Sequence, residues 1–131
     1  HLKLPSIKHN YKLLNKVDFF PFKNQRAFLA MTAHVIYKSI DPINSATHSK
    51  KIMKIIRKKI AFKNIIMSDD ISMKALKYST SENTTRAFNA GCNLVLHCNG
   101  NYKEMLIVAK NSPLLSNFIM KKTSQLINII R

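Results

Sequence analysis

The stretch Ile65-Ile66-Met67-Ser68-Asp69-Asp70 decides the fold of this 131-residue chain and points to its site. The apolar run predicts a buried strand over residues 64–68, which ends at two adjacent carboxylates. In a parallel sheet, ligands bind and chemistry occurs at the carboxyl ends of the strands. Because the chain holds only six acidic residues against 22 lysines and arginines, an acidic pair at this place favours a functional role. The alternative, stronger for Asp70 than for Asp69, is that an aspartate caps the following helix.

Outward from this stretch, strands and helices alternate along the chain. Apolar runs predict two more strands, over residues 28–33 and 93–98. Helical periodicity predicts amphipathic segments over residues 11–28 (interrupted at Pro21), 49–62, 79–90, 102–110 and 114–130. Almost wholly apolar strands that alternate with helices indicate a parallel sheet covered by helices. The predicted fold class is therefore α/β.

Composition excludes several classes of protein. An apolar content of 46% is typical of a globular domain, and no apolar segment is long enough to span a membrane. The net charge of +16 suggests nucleic acid, but lysine, isoleucine and asparagine are all abundant and arginines number only four. Genome base composition explains that pattern, so we expect no nucleic-acid partner. The basic face of the 49–62 helix could lie on an anionic membrane, but we favour a solvated face and expect no membrane partner.

The two cysteines indicate the compartment. Cys92 and Cys98 flank a predicted strand, which would hold them roughly 20 Å apart, too far for a disulfide. A reducing, cytoplasmic setting is the expectation. The spacing of cysteines and histidines is not that of a metal site, and we expect neither a metal nor another cofactor.

Polar groups meet at one edge of the predicted sheet. If the strands run parallel, then His34, the Asp69-Asp70 pair and Cys98-Asn99 share the rim formed by their carboxyl ends. A carboxylate with a nearby histidine can serve as nucleophile and proton carrier. Many α/β proteins place polar groups on such a rim, so the longer sequence blocks around these residues carry more information.

Three separate blocks are characteristic. They are residues 31–37 (MTAHVIY) with Asp41-Pro42 after them, residues 66–73 (IMSDDISM) and residues 90–99 (AGCNLVLHCN). In order and spacing they resemble glycoside hydrolase family 3, and most closely its bacterial β-N-acetylhexosaminidase branch, which recycles cell-wall fragments. The resemblance implies a (β/α)₈ catalytic barrel, of which residues 1–131 would be the C-terminal portion. About three parallel strands of a partial TIM barrel, with covering helices, are therefore expected.

The resemblance also implies roles for individual residues. Asp69, the first acid of the Ser-Asp-Asp block, matches the catalytic nucleophile of a retaining mechanism. His1, followed by Leu-Lys-Leu-Pro, matches the histidine that acts as general acid/base in this branch; the alternative is an ordinary terminal histidine. His34 matches a rim histidine that would line the sugar subsite, with a hydrogen-bonded structural histidine as the alternative. The implied substrate is a carbohydrate, terminal β-linked N-acetylglucosamine on peptidoglycan fragments.

Several elements of the family are missing from this chain. The aspartate that would orient His1 and the sugar-binding Lys-His-Phe-Pro-Gly-His-Gly segment do not occur in it. Three strands cannot close a barrel, which leaves two open sheet edges. The alternative function is therefore an inactive remnant, or one half of a split enzyme that needs a separate N-terminal barrel fragment as its partner.

Overall fold

The computed structural model describes residues 3–130 as an α/β fold. In chain order its elements are β1 (Ser6–Ile7), α1 (Tyr11–Lys16), β2 (Leu29–Met31), β3 (Ile36–Tyr37), α2 (Lys50–Lys58), β4 (Ile65–Asp70), α3 (Thr80–Ala90), β5 (Leu94–Leu96), α4 (Tyr102–Asn111) and α5 (Asn117–Ile130). Short 3-10 helices occur at Phe20–Phe22 and Ala46–His48. No helix within residues 3–130 is both long and apolar enough to cross a membrane.

The main sheet is parallel and has the strand order β2-β4-β5. Leu29 is in register with Ile65, and Met67 is in register with Leu94. The predicted parallel sheet and its three strands are therefore confirmed. The structure adds a second parallel pair, β1 with β3, that the sequence did not predict. Each of these strands has two residues, too few for a period of two to be recognised.

Strand β4 extends further than the sequence predicts. Its expected end at residue 68 is wrong, because Asp70 pairs with Leu96 across an irregular register and the Ile71 N–H donates to the Leu96 carbonyl at 2.9 Å. Asp69 and Asp70 are consequently the last two residues of the strand. Their backbone is held by the neighbouring strand.

The N-terminal helix is much shorter than the predicted 11–28 segment. It ends at Lys16, and Pro21 lies in the separate Phe20–Phe22 turn. The basic helix begins close to the predicted place, because the Ser49 hydroxyl accepts a hydrogen bond from the Ile52 N–H at 3.2 Å as an N-cap. That helix ends at Lys58, before the predicted residue 62.

The core lies between the sheet and its helices. Side chains alternate along each strand, so Ala30 and Ile66 face the helices while Leu29 and Met31 point to the opposite face. Leu29 and Met31 are 42% and 58% exposed, so this second face is exposed along β2, whereas Ile65 on the same face of the central strand is 1% exposed. The buried cluster consists of Leu14, Phe19, Met53, Ile60, Phe62, Ile66, Ala87 and Cys92.

Candidate active site

Asp69 borders a cavity of about 150 Å³ at the carboxyl end of the main sheet. His34 lines the same cavity, so the structure brings together two of the three predicted site residues. The third, His1, lies outside the described residues. The remaining lining residues are Lys3, Leu4, Pro5, Ala33, Val35, Met73 and Ala75.

The backbone holds the Asp69 carboxylate at this place. Asp69 Oδ1 accepts a hydrogen bond from the Asp70 N–H at 2.8 Å. The backbone N–H of Asp69 donates to the Thr32 hydroxyl at 3.3 Å. Within residues 3–130, no hydrogen bond reaches its second oxygen, Oδ2. Asp69 therefore keeps one carboxylate oxygen without a hydrogen bond among these residues, while the other is held by the Asp70 N–H.

Asp70 has a structural role next to it. Its Oδ1 accepts hydrogen bonds from the Ser72 N–H at 2.9 Å, the Ser72 hydroxyl at 2.7 Å and the Cys98 N–H at 3.1 Å. Burial alone would raise the pKa of Asp70, but these hydrogen bonds outweigh it and the pKa lies below its usual value. Asp70 thus caps the turn after β4 and ties the end of β5 to it. It does not cap the following helix, where the Ser79 hydroxyl accepts from the Glu82 N–H.

His34 is a buried histidine whose two ring nitrogens are both hydrogen-bonded inside the protein. His34 as a whole residue is only 4% exposed. Nε2 lies 2.8 Å from the Asp70 carbonyl, and Nδ1 lies 2.9 Å from the Thr47 hydroxyl. His34 therefore lines the cavity while both nitrogens of its ring are hydrogen-bonded to other parts of the protein.

Sequence reasoning missed the two threonines in this network. Thr32 and Thr47 are 6% and 0% exposed, and their hydroxyl groups lie 2.9 Å apart. Thr32 falls inside a predicted strand and Thr47 inside a predicted loop, where a threonine carries no signal of its own. Their contact depends on the fold, which brings together two residues that are 15 positions apart in the sequence.

Two larger hollows lie away from Asp69. One, of about 560 Å³, is a groove lined by residues of α2 and α3, among them Lys50 and Arg86. The other, of about 390 Å³, lies along the free edge of β2 and is lined mainly by apolar side chains. Size alone therefore does not identify the site. Across the part of the chain that the structure describes, no group of three His, Cys, Asp or Glu residues could hold a metal ion.

The chemistry of the cavity agrees with the comparison to known families. Residues 1–129 match the Glycosyl hydrolase family 3 N terminal domain. The chain belongs to glycosyl hydrolase family 3. This membership confirms the resemblance drawn from the three sequence blocks, and with it the partial barrel.

Related proteins support the same conclusion. A β-hexosaminidase of Nitrosomonas eutropha is 36% identical over 104 residues, which are 76% of this chain and 30% of the relative. The crystal structure of NagZ from Neisseria gonorrhoeae is 28% identical with a TM-score of 0.79, covering 93% of this chain and 36% of that one. The β-N-acetylglucosaminidase from Thermotoga maritima is 32% identical with a TM-score of 0.72, covering 82% and 25%. The chain thus spans about a third of the length of its relatives.

Proposed function

We propose that this chain supplies the nucleophile of a glycosidase that removes terminal β-linked N-acetylglucosamine from peptidoglycan fragments with retention of configuration. The observation that carries the proposal is the position of Asp69, which borders a cavity at the carboxyl end of a parallel sheet. The relatives are named β-hexosaminidases, and a NagZ structure 27% identical to this chain is described in complex with N-trifluoroacetyl-D-glucosamine. A peptidoglycan fragment as the natural substrate rests on the family resemblance.

The arrangement of Asp69 suits nucleophilic attack on a sugar. In a retaining mechanism, a carboxylate oxygen attacks the anomeric carbon while the glycosidic bond breaks and the leaving oxygen takes a proton from the general acid. Water then hydrolyses the covalent glycosyl-enzyme. Asp69 holds its Oδ1 against the Asp70 N–H and has Oδ2 left for that attack. A side chain fixed in one direction loses less entropy on reaching the reactive geometry.

We assign the general acid/base to His1, which lies outside the described residues. The support comes from the residues that follow it, because Lys3, Leu4 and Pro5 line the same cavity as Asp69. An imidazole near its ordinary pKa of about 6.5 can give a proton to the leaving oxygen and take one from water. His1 would complete a two-residue mechanism without a metal or another cofactor.

His34 is proposed as a wall of the sugar subsite. Since both of its nitrogens are hydrogen-bonded within the protein, the ring would meet a sugar through its carbon edge. The cavity of about 150 Å³ is smaller than the roughly 300–1,000 Å³ of ordinary small-molecule sites. The residues described therefore form one part of a subsite whose remaining walls come from elsewhere.

The open edge of the sheet indicates where those walls belong. Strand β2 has a free edge, and the apolar groove of about 390 Å³ beside it includes Leu29, Met31, Ile56 and Phe62. An eight-stranded barrel buries both the edge and the inner face of each strand. We propose that the other strands of such a barrel cover this groove, whether they belong to the same polypeptide or to a separate N-terminal fragment.

The compartment proposed for this activity is the cytoplasm. Cys92 and Cys98 are both free thiols, which agrees with a reducing environment. Burial raises the pKa of the Cys92 thiol to about 12, so this cysteine is also chemically unreactive.

Reconstitution tests the function. The chain would be assayed on a chromogenic N-acetyl-β-glucosaminide, alone and mixed with the part of the Nitrosomonas eutropha β-hexosaminidase that it does not match. We expect turnover on mixing, and its loss by at least about a thousandfold in Asp69→Asn. Glu82→Gln, at an exposed carboxylate in the first turn of α3, is the matched control and should retain activity. No turnover in any mixture would favour the inactive remnant, and full activity of Asp69→Asn would refute the assigned nucleophile.

A further inference from the structure

A chain of hydrogen bonds leaves the backbone at Asp69 and returns to it at Asp70. The Asp69 N–H lies 3.3 Å from the Thr32 hydroxyl, which lies 2.9 Å from the Thr47 hydroxyl. Thr47 in turn lies 2.9 Å from His34 Nδ1, and His34 Nε2 lies 2.8 Å from the Asp70 carbonyl. Three side chains thereby form a closed loop around two consecutive residues of one strand.

The chemistry of the end groups gives this loop a direction. The Asp70 carbonyl can only accept, so His34 Nε2 carries a proton and donates to it. With a neutral ring, Nδ1 then accepts from the Thr47 hydroxyl, Thr47 accepts from Thr32, and Thr32 accepts from the Asp69 N–H. Each donor in the loop has an acceptor within the loop in this arrangement, which requires the Nε2–H tautomer of His34. The Thr47 hydroxyl has one other acceptor nearby, the Ala33 carbonyl, which at 3.3 Å is farther away than His34 Nδ1.

Because the loop is buried, water cannot easily take the place of a side chain that is removed from it. Thr32, His34 and Thr47 are 6%, 4% and 0% exposed. Because solvent has so little access to them, loss of one member leaves its neighbours without partners rather than hydrated, which is the costly case for a polar group. Networks of this kind hold their members in a single arrangement when all are satisfied.

We propose that Thr47 and His34 are positioning residues that aim the Asp69 carboxylate into the cavity. The loop fixes the peptide groups that precede Asp69 and follow Asp70, and the N–H of the peptide group between them holds Asp69 Oδ1 at 2.8 Å. Neither residue needs to donate to the sugar for this role. The inference rests on the proposed function in one respect only, namely that Asp69 is the nucleophile.

Nuclear magnetic resonance of the full chain tests the loop without any turnover. In the parent protein, the ring nitrogen shifts of His34 should show a protonated Nε2 and a bare Nδ1. Thr47→Val, which removes a hydroxyl at nearly constant volume, should speed hydrogen exchange of the Asp69 amide by about five- to tenfold relative to amides of α3. The shifts of His34 and of the Asp70 carbonyl should move with it. Thr47→Ser should retain the parent's behaviour.

A third buried threonine, outside the loop, supplies the matched control. Thr84 is also 0% exposed, and its hydroxyl donates to the Thr80 carbonyl within α3 at 2.7 Å. Thr84→Val should leave the Asp69 amide and the His34 ring at their parent values. The inference is overturned by the Nδ1–H tautomer in the parent, by an unchanged Asp69 amide in folded Thr47→Val, or by an equal effect in Thr84→Val. Should Thr47→Val not fold, the parent tautomer and Thr47→Ser decide.

Turnover of the reconstituted enzyme separates this inference from the proposed function. If Asp69 is the nucleophile and the loop aims it, Thr47→Val should lower kcat about tenfold and change KM by less than about twofold. Unchanged kcat in a variant whose Asp69 amide has become labile would refute positioning. Activity that survives Asp69→Asn would instead refute the nucleophile and leave the magnetic-resonance result standing.

Discussion

We predict that acidification from pH 7 to pH 5 destabilises the protein through His48, and that His48→Leu removes this loss. His48 is 8% exposed, and its ring lies beside those of His34 and Tyr78 at centroid distances of 6.5 and 6.2 Å. Its Nε2 is buried without a hydrogen-bond partner among residues 3–130. Burial above all, and then the electrostatic effects of His34 and Arg86, lower its pKa to about 4.

The magnitude follows from the difference between the folded and unfolded states. An unfolded histidine has a pKa of about 6.5, so between pH 6.5 and 4 the unfolded state binds the extra proton. Stability is therefore complete above about pH 6.5 and falls as the pH approaches 4. At 1.36 kcal/mol per pKa unit the full difference is about 3 kcal/mol, of which about 2 kcal/mol is lost between pH 7 and pH 5. Allowing for solvent screening, we expect a loss of about 1.5 kcal/mol.

Urea unfolding followed by circular dichroism, at pH 7 and at pH 5, measures this loss. The free-energy difference between the two pH values should be smaller in His48→Leu than in the parent by about 1.5 kcal/mol. His9→Leu, at an exposed histidine, is the control and should keep the parent's difference. Equal pH differences in the parent and in His48→Leu would show that His48 titrates alike in the folded and unfolded states, against the reasoning from its burial.

Two further predictions concern the packing at the end of α3 and the turn after β4. Gly91→Ala should lower the free energy of unfolding by about 1–3 kcal/mol, because φ is 122° at this position and an added Cβ would lie 2.9 Å from Met53 Cγ. Urea unfolding measures this free energy, and an unchanged value would contradict the observed geometry. Asp70 has a lowered pKa, so its contribution is present above about pH 4 and is lost as the pH falls further. Asp70→Asn should thus be less stable than the parent at pH 6 and lose less stability on acidification to pH 3, as thermal unfolding would show; parallel pH curves would contradict this.

The parts of the fold that repeat along the chain could be predicted from the sequence. The apolar run Ile65-Ile66-Met67 predicted a buried strand, although its expected end came two residues too early, and Ser49 and Ser79 marked the starts of two helices through their hydroxyl caps. These features depend on neighbours within a few residues. They arise from the alternation of side chains and from the capping of free N–H groups, both of which depend on residues close together in the sequence.

What the sequence did not predict depends on distant contacts. Strand β4 runs on through Asp70 because of pairing with Leu96, 26 positions later, and Asp70 is held partly by the Cys98 N–H. His34 has both nitrogens occupied because Thr47 and the Asp70 carbonyl come to it from two other parts of the chain. Periodicity and short motifs carry no information about such partners, so the network around Asp69 emerged only from the structure.

The central claim, that Asp69 is the nucleophile, is tested most directly by covalent trapping. The reconstituted enzyme would be treated with a 5-fluoro N-acetylglucosaminyl fluoride, which forms a slowly hydrolysed glycosyl-enzyme, and digested for peptide mass spectrometry. We predict one glycosyl group on the carboxylate of Asp69 and none in Asp69→Asn. Labelling of a different residue, or turnover in an enzyme whose Asp69 is never labelled, would contradict the account.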